Sequence, residues 1–436
     1  MKNLPLHWKI LIGMALGVLF GVVAVNTGLE DFTRKWIMPW GKIFLNLLKL
    51  IAVPLILASL IKGISDLKDI SKLSQIGGRT LAIYVATTIT AVIIGLLLVN
   101  IIQPGSGIAE STRTSLMEEN QNKSDEYQGK AQATPTFKEE PLRFIVDMVP
   151  DNIVGAAASN RNMLQVIFFA IFFGIAMILV QEEKVRGVKD FFDGFNDIIL
   201  KMVDLVILAA PYGVFALLAG LVVTSPSADI FIALGKYALT LVLGLAIMIG
   251  VYALLVSLYT GKSPGFFFRG IAPAQLLAFS TSSSAATLPV TMERVEEHLG
   301  VEKEVVSFVL PIGATVNMDG TSVYQAVAAV FIAQVYGYDL TFMDQITIVF
   351  TATLASIGSA AVPSAGIVML VIVLESIGVP PAGIALIFAV DRPLDMCRTV
   401  VNVTGDAAVS MIVAKSVGKL GEPKVQNWDD NYEEVA

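Results

Sequence analysis

Cysteine, histidine and charge are all scarce in this 436-residue chain. One cysteine, Cys397, excludes a disulfide framework, and with only two histidines, His7 and His298, the sequence argues against a zinc cluster. Charged residues make up 15% of the chain, whereas a soluble protein carries about 25%. With 55% hydrophobic residues and a mean hydropathy of +0.72, the composition predicts a polytopic membrane protein. The helix-length apolar runs along the chain make the expected fold class all-α. The net charge of −7 gives no reason to expect a nucleic acid partner.

Apolar runs long enough to cross about 30 Å of hydrocarbon as helices recur through the first 260 residues. They lie near 9–27, 40–62, 79–103, 163–180, 198–223 and 229–259. The first run lacks a small-residue cleavage site, so we expect a spanning helix rather than a removed signal peptide. Basic residues cluster at alternate connections, which predicts a cytoplasmic N-terminus.

Polar and proline-containing segments interrupt these runs. Residues 104–142 are rich in Glu, Gln, Asn, Ser and Thr, which predicts a mobile external loop. The residues Pro150-Asp151-Asn152 predict that the fourth element is broken into pieces. The stretches 48–54 and 205–211 both end in a proline after an apolar run, and this likeness suggests an inverted repeat.

Two later segments are too polar at their centres for ordinary spanning helices. Residues 271–292 contain Ser280-Thr-Ser-Ser-Ser284, and residues 346–376 are centred on a run of Gly, Ser and Pro at 356–366. Both patterns predict re-entrant helical hairpins, because irregular backbone at membrane depth persists only where it lines a cavity or is buried in protein. For the first segment, a serine-bearing packing helix is the alternative.

A polar stripe runs through residues 391–406, between two apolar stretches. At about 100° per residue, one face of a helix within roughly an 80° arc carries Asp391, Asp395, Arg398, Asn402 and Asp406, with Thr399 at its edge. A charge in the bilayer interior costs roughly 2.5 kcal/mol or more, so such residues usually mark a substrate or ion path. A salt-bridge stripe that only orients helices is the alternative, but it leaves Asn402 and Asp406 unexplained.

The pattern Asn-x-x-Gly occurs at Asn317–Gly320 and again at Asn402–Gly405. We expect an unwound turn at each, whose freed carbonyls join Asp319 and Asp406 in oxygen-only sites for a hard cation such as Na⁺. The opposing helix ends would offer N–H groups to an anionic substrate.

Four ordered motifs carry a resemblance to a known family: Ser282–Ser284 with Thr287–Pro289, Asn317–Thr321, Ser356–Gly358 with Val362–Pro363, and Asp395–Asp406. Residues 6–418 resemble the dicarboxylate/amino acid:cation symporter family, which includes prokaryotic sodium-coupled aspartate and glutamate symporters and the excitatory amino acid transporters. The resemblance implies eight transmembrane helices, two re-entrant hairpins, inverted repeats and an elevator mechanism. It also implies a homotrimer in the bilayer of the cell (inner) membrane, with both termini cytoplasmic.

The resemblance divides the chain into fixed and moving parts. The parts expected are scaffold helices 1 and 2 at 1–75, transport helix 3 at 76–103, the external loop at 104–142, scaffold helices 4 and 5 at 143–225, the main transport domain at 226–418, and a cytoplasmic tail at 419–436.

The resemblance also implies a pocket for L-glutamate or L-aspartate, lined by Arg398, Asp395, Thr399, Asn402, Thr321, Ser283, Ser284, Val362 and Gly366. In this pocket Arg398 would pair with the substrate's side-chain carboxylate, Asp395 would accept from its amino group, and Asn402 would hold its α-carboxylate. Relatives specific for plain dicarboxylates lack the aspartate, and neutral amino acid carriers lack the arginine. An acidic amino acid is therefore expected.

Three sodium sites are implied in the same way, and no organic cofactor is expected. The first comprises Asp406, Asn402, Asn317 and Gly313. The second comprises Thr315, Met318, Ser356, Ile357 and Ser359. The third comprises Tyr84, Thr87, Thr88, Asn317 and Asp319. Gln325 stands where proton-carrying relatives have a glutamate, and a neutral amide cannot carry a proton, so Na⁺ coupling without a proton is expected.

The chain departs from the family pattern at both hairpin tips, beside Arg398, and in the loop 104–142, which carries no family motif. Ser282 and Cys397 occupy the positions where relatives supply an extra arginine, and Ala361 and Ser364 replace glycines of the second hairpin tip. Proton coupling, dicarboxylate specificity and an anion channel are the alternatives to sodium-coupled symport. An enzyme using Asp395 and Asp406 is not expected, because 11 helical residues place them roughly 16 Å apart, too far to share a proton.

Overall fold

The computed structural model describes residues 6–66, 74–109, 113–114, 146, 149–158, 162–224, 229–357 and 365–425. Regular structure in these ranges is helical, apart from an isolated bridge between Val301 and Leu420. The predicted all-α class is therefore confirmed.

The helices follow one another along the chain in three groups. The first group contains α1 (Leu6–Thr27), α2 (Met38–Asp66), α3 (Ser74–Ile102), α4 (Ile153–Ala157) and α5 (Met163–Leu179). The second contains α6 (Glu182–Leu208), α7 (Ala210–Thr224), α8 (Asp229–Thr260), α9 (Pro264–Thr281) and α10 (Ser284–Glu293). The third contains α11 (Lys303–Val316), α12 (Asp319–Tyr336), α13 (Phe342–Ile357), α14 (Ala365–Ser376) and α15 (Ile384–Ser416).

Most of the predicted apolar runs coincide with helices. The runs near 9–27, 40–62, 79–103, 163–180 and 229–259 fall on α1, α2, α3, α5 and α8. By length and composition, two of the described helical stretches could cross a membrane, Ile76–Ile102 and Asp229–Thr260. The other apolar stretches are shorter.

The run predicted at 198–223 is not one helix, and that prediction is wrong. The chain forms α6 from Glu182 and breaks at Ala209 before α7 begins. Pro211 lies in the first turn of α7, where its missing N–H costs nothing. Pro54, by contrast, lies inside α2. The two similar stretches therefore differ in local structure.

The predicted break in the fourth element is confirmed. Asn152 caps the short helix α4, since its Oδ1 accepts hydrogen bonds from the backbone N–H groups of Val154 at 2.9 Å and Gly155 at 3.1 Å. Most of the predicted external loop at 104–142 lies outside the described residues. Its first part packs on α12, where the N–H of Gly105 donates to Gln334 Oε1 at 3.0 Å.

The two predicted hairpins correspond to two helix pairs. In the first, α9 and α10 are joined at Ser282, whose φ of 52° lies in the left-handed region and turns the chain back. The helix–turn–helix form expected near 271–292 is confirmed. In the second, α13 and α14 pack against each other and flank residues 358–364, so the expected tip lies outside the described residues.

The long helix α15 lies at the centre of one packing group. It contacts α8 to α12 as well as α1, α3 and α7, and α12 is buried along almost its whole length. A second packing group contains α1, α2, α5, α6 and α7. In this packing group α1 packs on α7, and α2 packs on α5, α6 and α7. All five residues of the polar stripe are buried between α15 and the helices that contact it.

The chain after α15 returns along the base of the first hairpin. The N–H of Gly421 donates to the carbonyl of Gly300 at 2.8 Å, and the N–H of Glu302 donates to the carbonyl of Lys419 at 3.1 Å. Lys424 adds an ion pair with Glu296 at 2.5 Å. Residues 417–425 therefore tie the end of α15 to the segment between α10 and α11.

This attachment predicts that a side chain at position 300 destabilises the protein. Its φ is +75°, and a Cβ at this position would lie 2.5 Å from the carbonyl oxygen of Gly421 and 2.9 Å from the carbonyl carbon of Glu422. Gly300→Ala should lower the melting temperature of the purified protein. Gly261→Ala is the matched control, because Gly261 has the same φ of +75° with nothing within 4 Å. The control carries only the left-handed backbone penalty of roughly 1–2 kcal/mol, so equal shifts in the two variants would contradict the packing argument.

Candidate functional site

Arg398 is the charged centre of the polar stripe. Its Nη2 donates to Asp395 Oδ1 at 2.7 Å and to Asp391 Oδ1 at 3.1 Å. The side chain is 1% exposed, and its guanidinium lies 3.8 Å from the ring centroid of Tyr324. Carboxylates on one side and an aromatic face on the other stabilise the buried positive charge.

Two donors of Arg398 are not used by these contacts. Within the described residues, Nε and Nη1 have no hydrogen-bond partner. An unsatisfied buried donor costs about 1–3 kcal/mol, and a carboxylate is the acceptor that binds a guanidinium N–H most strongly. A Cβ added at Gly366 would lie 3.3 Å from Arg398 Nη1 and 3.1 Å from Thr321 Cγ2. The structure thus places two of the predicted pocket residues, Gly366 and Thr321, beside the arginine.

Asp395 lies between two arginines. Its Oδ1 accepts from Arg398, and its Oδ2 accepts from Arg392 Nη1 at 3.1 Å. The predicted acceptor for a substrate amino group is therefore held in place by two guanidinium groups. Thr399, also predicted in the pocket, donates to the backbone carbonyl of Asp395 at 2.9 Å.

Asn402 connects α15 to the break between α11 and α12. Its Oδ1 accepts from the N–H of Gly320 at 2.8 Å, and its Nδ2 lies 3.3 Å from Met318 Sδ. A Cβ at Gly320 would collide with the carbonyl oxygen of Arg398. The two helices therefore touch through backbone at this point, next to the arginine.

The first hairpin contributes buried serines. The Oγ of Ser283 caps α10 by accepting from the N–H of Ala286 at 3.2 Å, and Ser284 begins that helix. Ser282 is also buried, and its Oγ has no hydrogen-bond partner among the described residues. Both helices of the hairpin pack on α15. Val362, the predicted contribution of the second hairpin tip, lies outside the described residues.

A separate cluster of oxygen atoms surrounds Asp406. Asn317 Nδ2 donates to Asp406 Oδ1 at 2.9 Å and lies 3.4 Å from the carbonyl oxygen of Asn402. The Oδ1 of Asn317 is buried without a hydrogen-bond partner in the described part of the chain. A Cβ at Gly313 would collide with both Asp406 Oδ1 and the hydroxyl of Tyr84. The structure therefore brings together all members of the first predicted cation set, and Tyr84 of the third.

Asp319 is held by two hydroxyl groups. Thr88 Oγ1 donates to its Oδ1 at 2.6 Å, and the hydroxyl of Tyr252 donates to its Oδ2. Thr87, another predicted member, donates to the carbonyl of Tyr84 at 3.1 Å. Sequence reasoning missed Tyr252, because it lies in the apolar run that forms α8 with no polar pattern around it.

The second predicted cation set is less clearly assembled. Thr315 is exposed and donates to the carbonyl of Ile312 at 3.0 Å, while Ser356 donates to the carbonyl of Thr353 at 2.9 Å. Each of these hydroxyls thus bonds within its own helix. Met318 lies beside Asn402, as described above. Ile357 ends α13, but the position of its side chain is not described, and Ser359 lies outside the described residues.

The two Asn-x-x-Gly segments differ in conformation. At the first, α11 ends at Val316 and α12 begins at Asp319, so the predicted break is confirmed. At the second, α15 is continuous, and the unwound turn expected at Asn402–Gly405 is wrong. Gly405 serves close packing instead, because a Cβ there would collide with the hydroxyl of Tyr252 and lie 2.7 Å from Asn317 Nδ2.

The cluster around Arg398 and the cluster around Asp319 and Asp406 differ in their balance of charge. Around Arg398, the carboxylates of Asp391 and Asp395 face two guanidinium groups. Asp319 and Asp406 are 0% and 2% exposed, and neither forms an ion pair with a Lys, Arg or His of the described residues. Burying an uncompensated carboxylate is costly. The surrounding hydroxyl, amide and carbonyl oxygens are the ligands that hard cations prefer.

An all-helical chain with ionisable residues buried along a central helix, beside helix breaks and hairpins, is typical of a polytopic membrane transporter. The sequence matches the Sodium:dicarboxylate symporter family over residues 6–416. The chain belongs to this family, so it is an integral membrane protein of a transporter family.

Curated relatives cover nearly the whole chain. The chain is 34% identical to the "Proton/sodium-glutamate symport protein" of Bacillus caldotenax, over 98% of each sequence. It is 37% identical to mouse "Excitatory amino acid transporter 3", over 98% of this chain and 88% of that protein. It is 33% identical to the "Proton/glutamate-aspartate symporter" of Escherichia coli, over 98% and 97%.

Proposed function

We propose that the protein is a secondary active symporter that imports glutamate or aspartate together with Na⁺. The observation that carries the proposal is the pairing of two buried groups on α15. Arg398 keeps two donors unused at 1% exposure, and Asp406, two turns further on, is buried without a cationic partner in the described chain. One helix thus offers a site for an anion and a site for a cation.

The chemistry around Arg398 fits an amino acid with a second carboxylate. The free Nη1 of Arg398 suits the side-chain carboxylate, because it faces Gly366 and Thr321 and has no partner among the described residues. Asp395 would accept from the amino group by releasing one of its two arginine contacts. The α-carboxylate would be held by Asn402 and the serines of the first hairpin tip. A plain dicarboxylate has no amino group to offer Asp395, which favours an amino acid.

The chemistry around Asp319 and Asp406 fits a hard monovalent cation. We assign one site to Asp406, Asn317, Asn402 and Gly313, and another to Asp319, Asn317, Tyr84, Thr87 and Thr88. The set Thr315, Met318, Ser356, Ile357 and Ser359 remains a proposed third. Neutral oxygens and one carboxylate per site suit Na⁺ better than a divalent ion, which would call for more negative charge.

Substrate and cation binding are coupled through short contacts. Asn402 lies one turn from Arg398 and bonds Gly320, while Asn317 bonds Asp406 and approaches the carbonyl of Asn402. A cation at Asp406 would therefore order the same asparagines that position the substrate. Thermodynamic linkage then requires that bound substrate raise the affinity for the cation by the same factor.

The packing groups support an elevator arrangement. We propose that 76–103 and 226–418 move together against the scaffold 1–75 and 143–225, because α15 packs on α3 and α8–α12 while α2 packs on α5–α7. The contacts of α15 with α1 and α7 would then lie at the boundary between the two parts. A homotrimer in the cell membrane with cytoplasmic termini is part of this proposal by family resemblance.

Proton coupling is the second candidate, since the names of the relatives include both proton and sodium. Gln325 favours Na⁺ alone. This residue is fully buried, its amide atoms have no hydrogen-bond partner among the described residues, and an amide does not titrate. Na⁺-driven uptake that is independent of an imposed pH gradient supports our assignment, whereas uptake driven by a pH gradient without Na⁺ supports the alternative.

Arg398→Cys should abolish uptake of aspartate and glutamate in proteoliposomes with an inward Na⁺ gradient, because the substrate's side-chain carboxylate loses its cationic partner. Uptake of a neutral amino acid such as serine is expected to appear. Arg269→Cys is the control, since Arg269 is exposed on α9. Unchanged aspartate uptake by Arg398→Cys would refute the assigned role.

Asp406→Asn should raise the Na⁺ concentration needed for half-maximal substrate binding by roughly tenfold or more, since interactions with a charged group contribute about 1.5–3 kcal/mol. Asparagine has nearly the same shape as aspartate but carries no charge. Asp339→Asn, at an exposed position, should leave the titration unchanged. A sodium titration of Asp406→Asn that overlays the wild type would remove Asp406 from the cation site.

A further inference from the structure

Tyr252 reaches the cation cluster from α8, a helix that contributes none of the proposed substrate or cation ligands. It lies on α8 with 0% exposure, and its hydroxyl donates to Oδ2 of Asp319 while Thr88 donates to Oδ1. The two hydroxyls come from different helices, α3 and α8. The carboxylate of Asp319 is therefore fixed at both oxygens.

The same hydroxyl borders the Asp406 cluster. A Cβ added at Gly405 would collide with the Tyr252 hydroxyl and lie 2.7 Å from Asn317 Nδ2. Gly405 is one residue before Asp406, and Asn317 donates to Asp406. The hydroxyl of Tyr252 therefore lies where α8 and α15 meet the break between α11 and α12. It is near the groups around both Asp319 and Asp406.

A phenol at this point has a clear physical effect. Its O–H is a good donor to a carboxylate, and its rigid ring has few rotamers, so it restricts the orientation of Asp319. Its oxygen also keeps lone pairs that add to the oxygen-rich environment of the cluster. The glycine at 405 leaves room for it, and any side chain there would displace it.

We infer that Tyr252 is a positioning residue for cation binding at Asp319, additional to the set of Tyr84, Thr87, Thr88, Asn317 and Asp319. The inference rests on the proposed function, in that it takes the bound cation to be Na⁺. It adds that α8 sets the strength of cation binding through one hydroxyl. Substrate contacts at Arg398 do not involve this hydroxyl.

The test is Tyr252→Phe, which removes the hydroxyl and keeps the ring. Binding of L-aspartate to the purified protein is measured over a series of Na⁺ concentrations. The Na⁺ concentration for half-maximal binding should rise about tenfold, corresponding to about 1.4 kcal/mol, while aspartate affinity at saturating Na⁺ changes little. The melting temperature without Na⁺ reports whether the variant is folded.

Tyr237→Phe is the matched control. Tyr237 lies on the same helix with 0% exposure, its ring stacks on Phe331 at 4.8 Å between centroids, and its hydroxyl has no hydrogen-bond partner among the described residues. The identical change at 237 should leave the Na⁺ titration unchanged. An equal shift in both variants would show a general packing effect and overturn the inference.

A double-mutant cycle separates positioning from packing. If Tyr252 acts through Asp319, adding Tyr252→Phe to Asp319→Asn should produce no further change in the Na⁺ titration. Additive effects overturn the inference, as does a Tyr252→Phe titration equal to the wild type or shifted to lower Na⁺. A wild-type protein that binds aspartate without any Na⁺ dependence would instead overturn the proposed function, and the inference with it.

Discussion

The unequal compensation of buried charge along α15 is the constraint on which the site depends. At one end, Arg398 is neutralised by Asp391 and Asp395, and Arg392 balances the remaining charge. Further along, Asp406 and the neighbouring Asp319 have hydrogen-bond donors but no cationic partner in the described chain. Because isolated buried charges are costly, a mobile cation is the natural complement to these carboxylates. Membership of a sodium:dicarboxylate symporter family agrees with this reading.

The helix break at Asn317 and Met318 gives the two clusters a shared element. The side chain of Asn317 donates to Asp406, and the backbone N–H of Gly320, in the first turn of α12, donates to Asn402. Close approach at this crossing requires glycine at 320, because a side chain would meet the backbone of Arg398. Small residues and amide groups thus allow two helices to touch where cargo and cation are proposed to meet.

Periodicity and polar content predicted much of this arrangement. The stripe from Asp391 to Asp406 was visible because five polar residues recur at helical spacing inside an apolar segment. Ser280–Ser284 indicated a turn, and the structure has one at Ser282. Three features depend on tertiary contacts that no local pattern encodes. They are the continuity of α15 through Asn402–Gly405, the contact of Tyr252 with Asp319, and the approach of Tyr84 to Asp406. The break at Ala209, by contrast, has a local signal in Pro211. A tyrosine in an apolar run looks like any core residue until its partner helix is known.

The most direct test of the central claim is the thermodynamic linkage between cation and substrate in the purified protein. Calorimetric titration with L-aspartate and L-glutamate, in Na⁺ and in an equal concentration of choline, measures that linkage without transport. The account predicts that at least one of the two amino acids binds with an affinity that rises steeply with Na⁺, and that this amino acid raises Na⁺ affinity by the same factor. Equal affinity in Na⁺ and choline would contradict it.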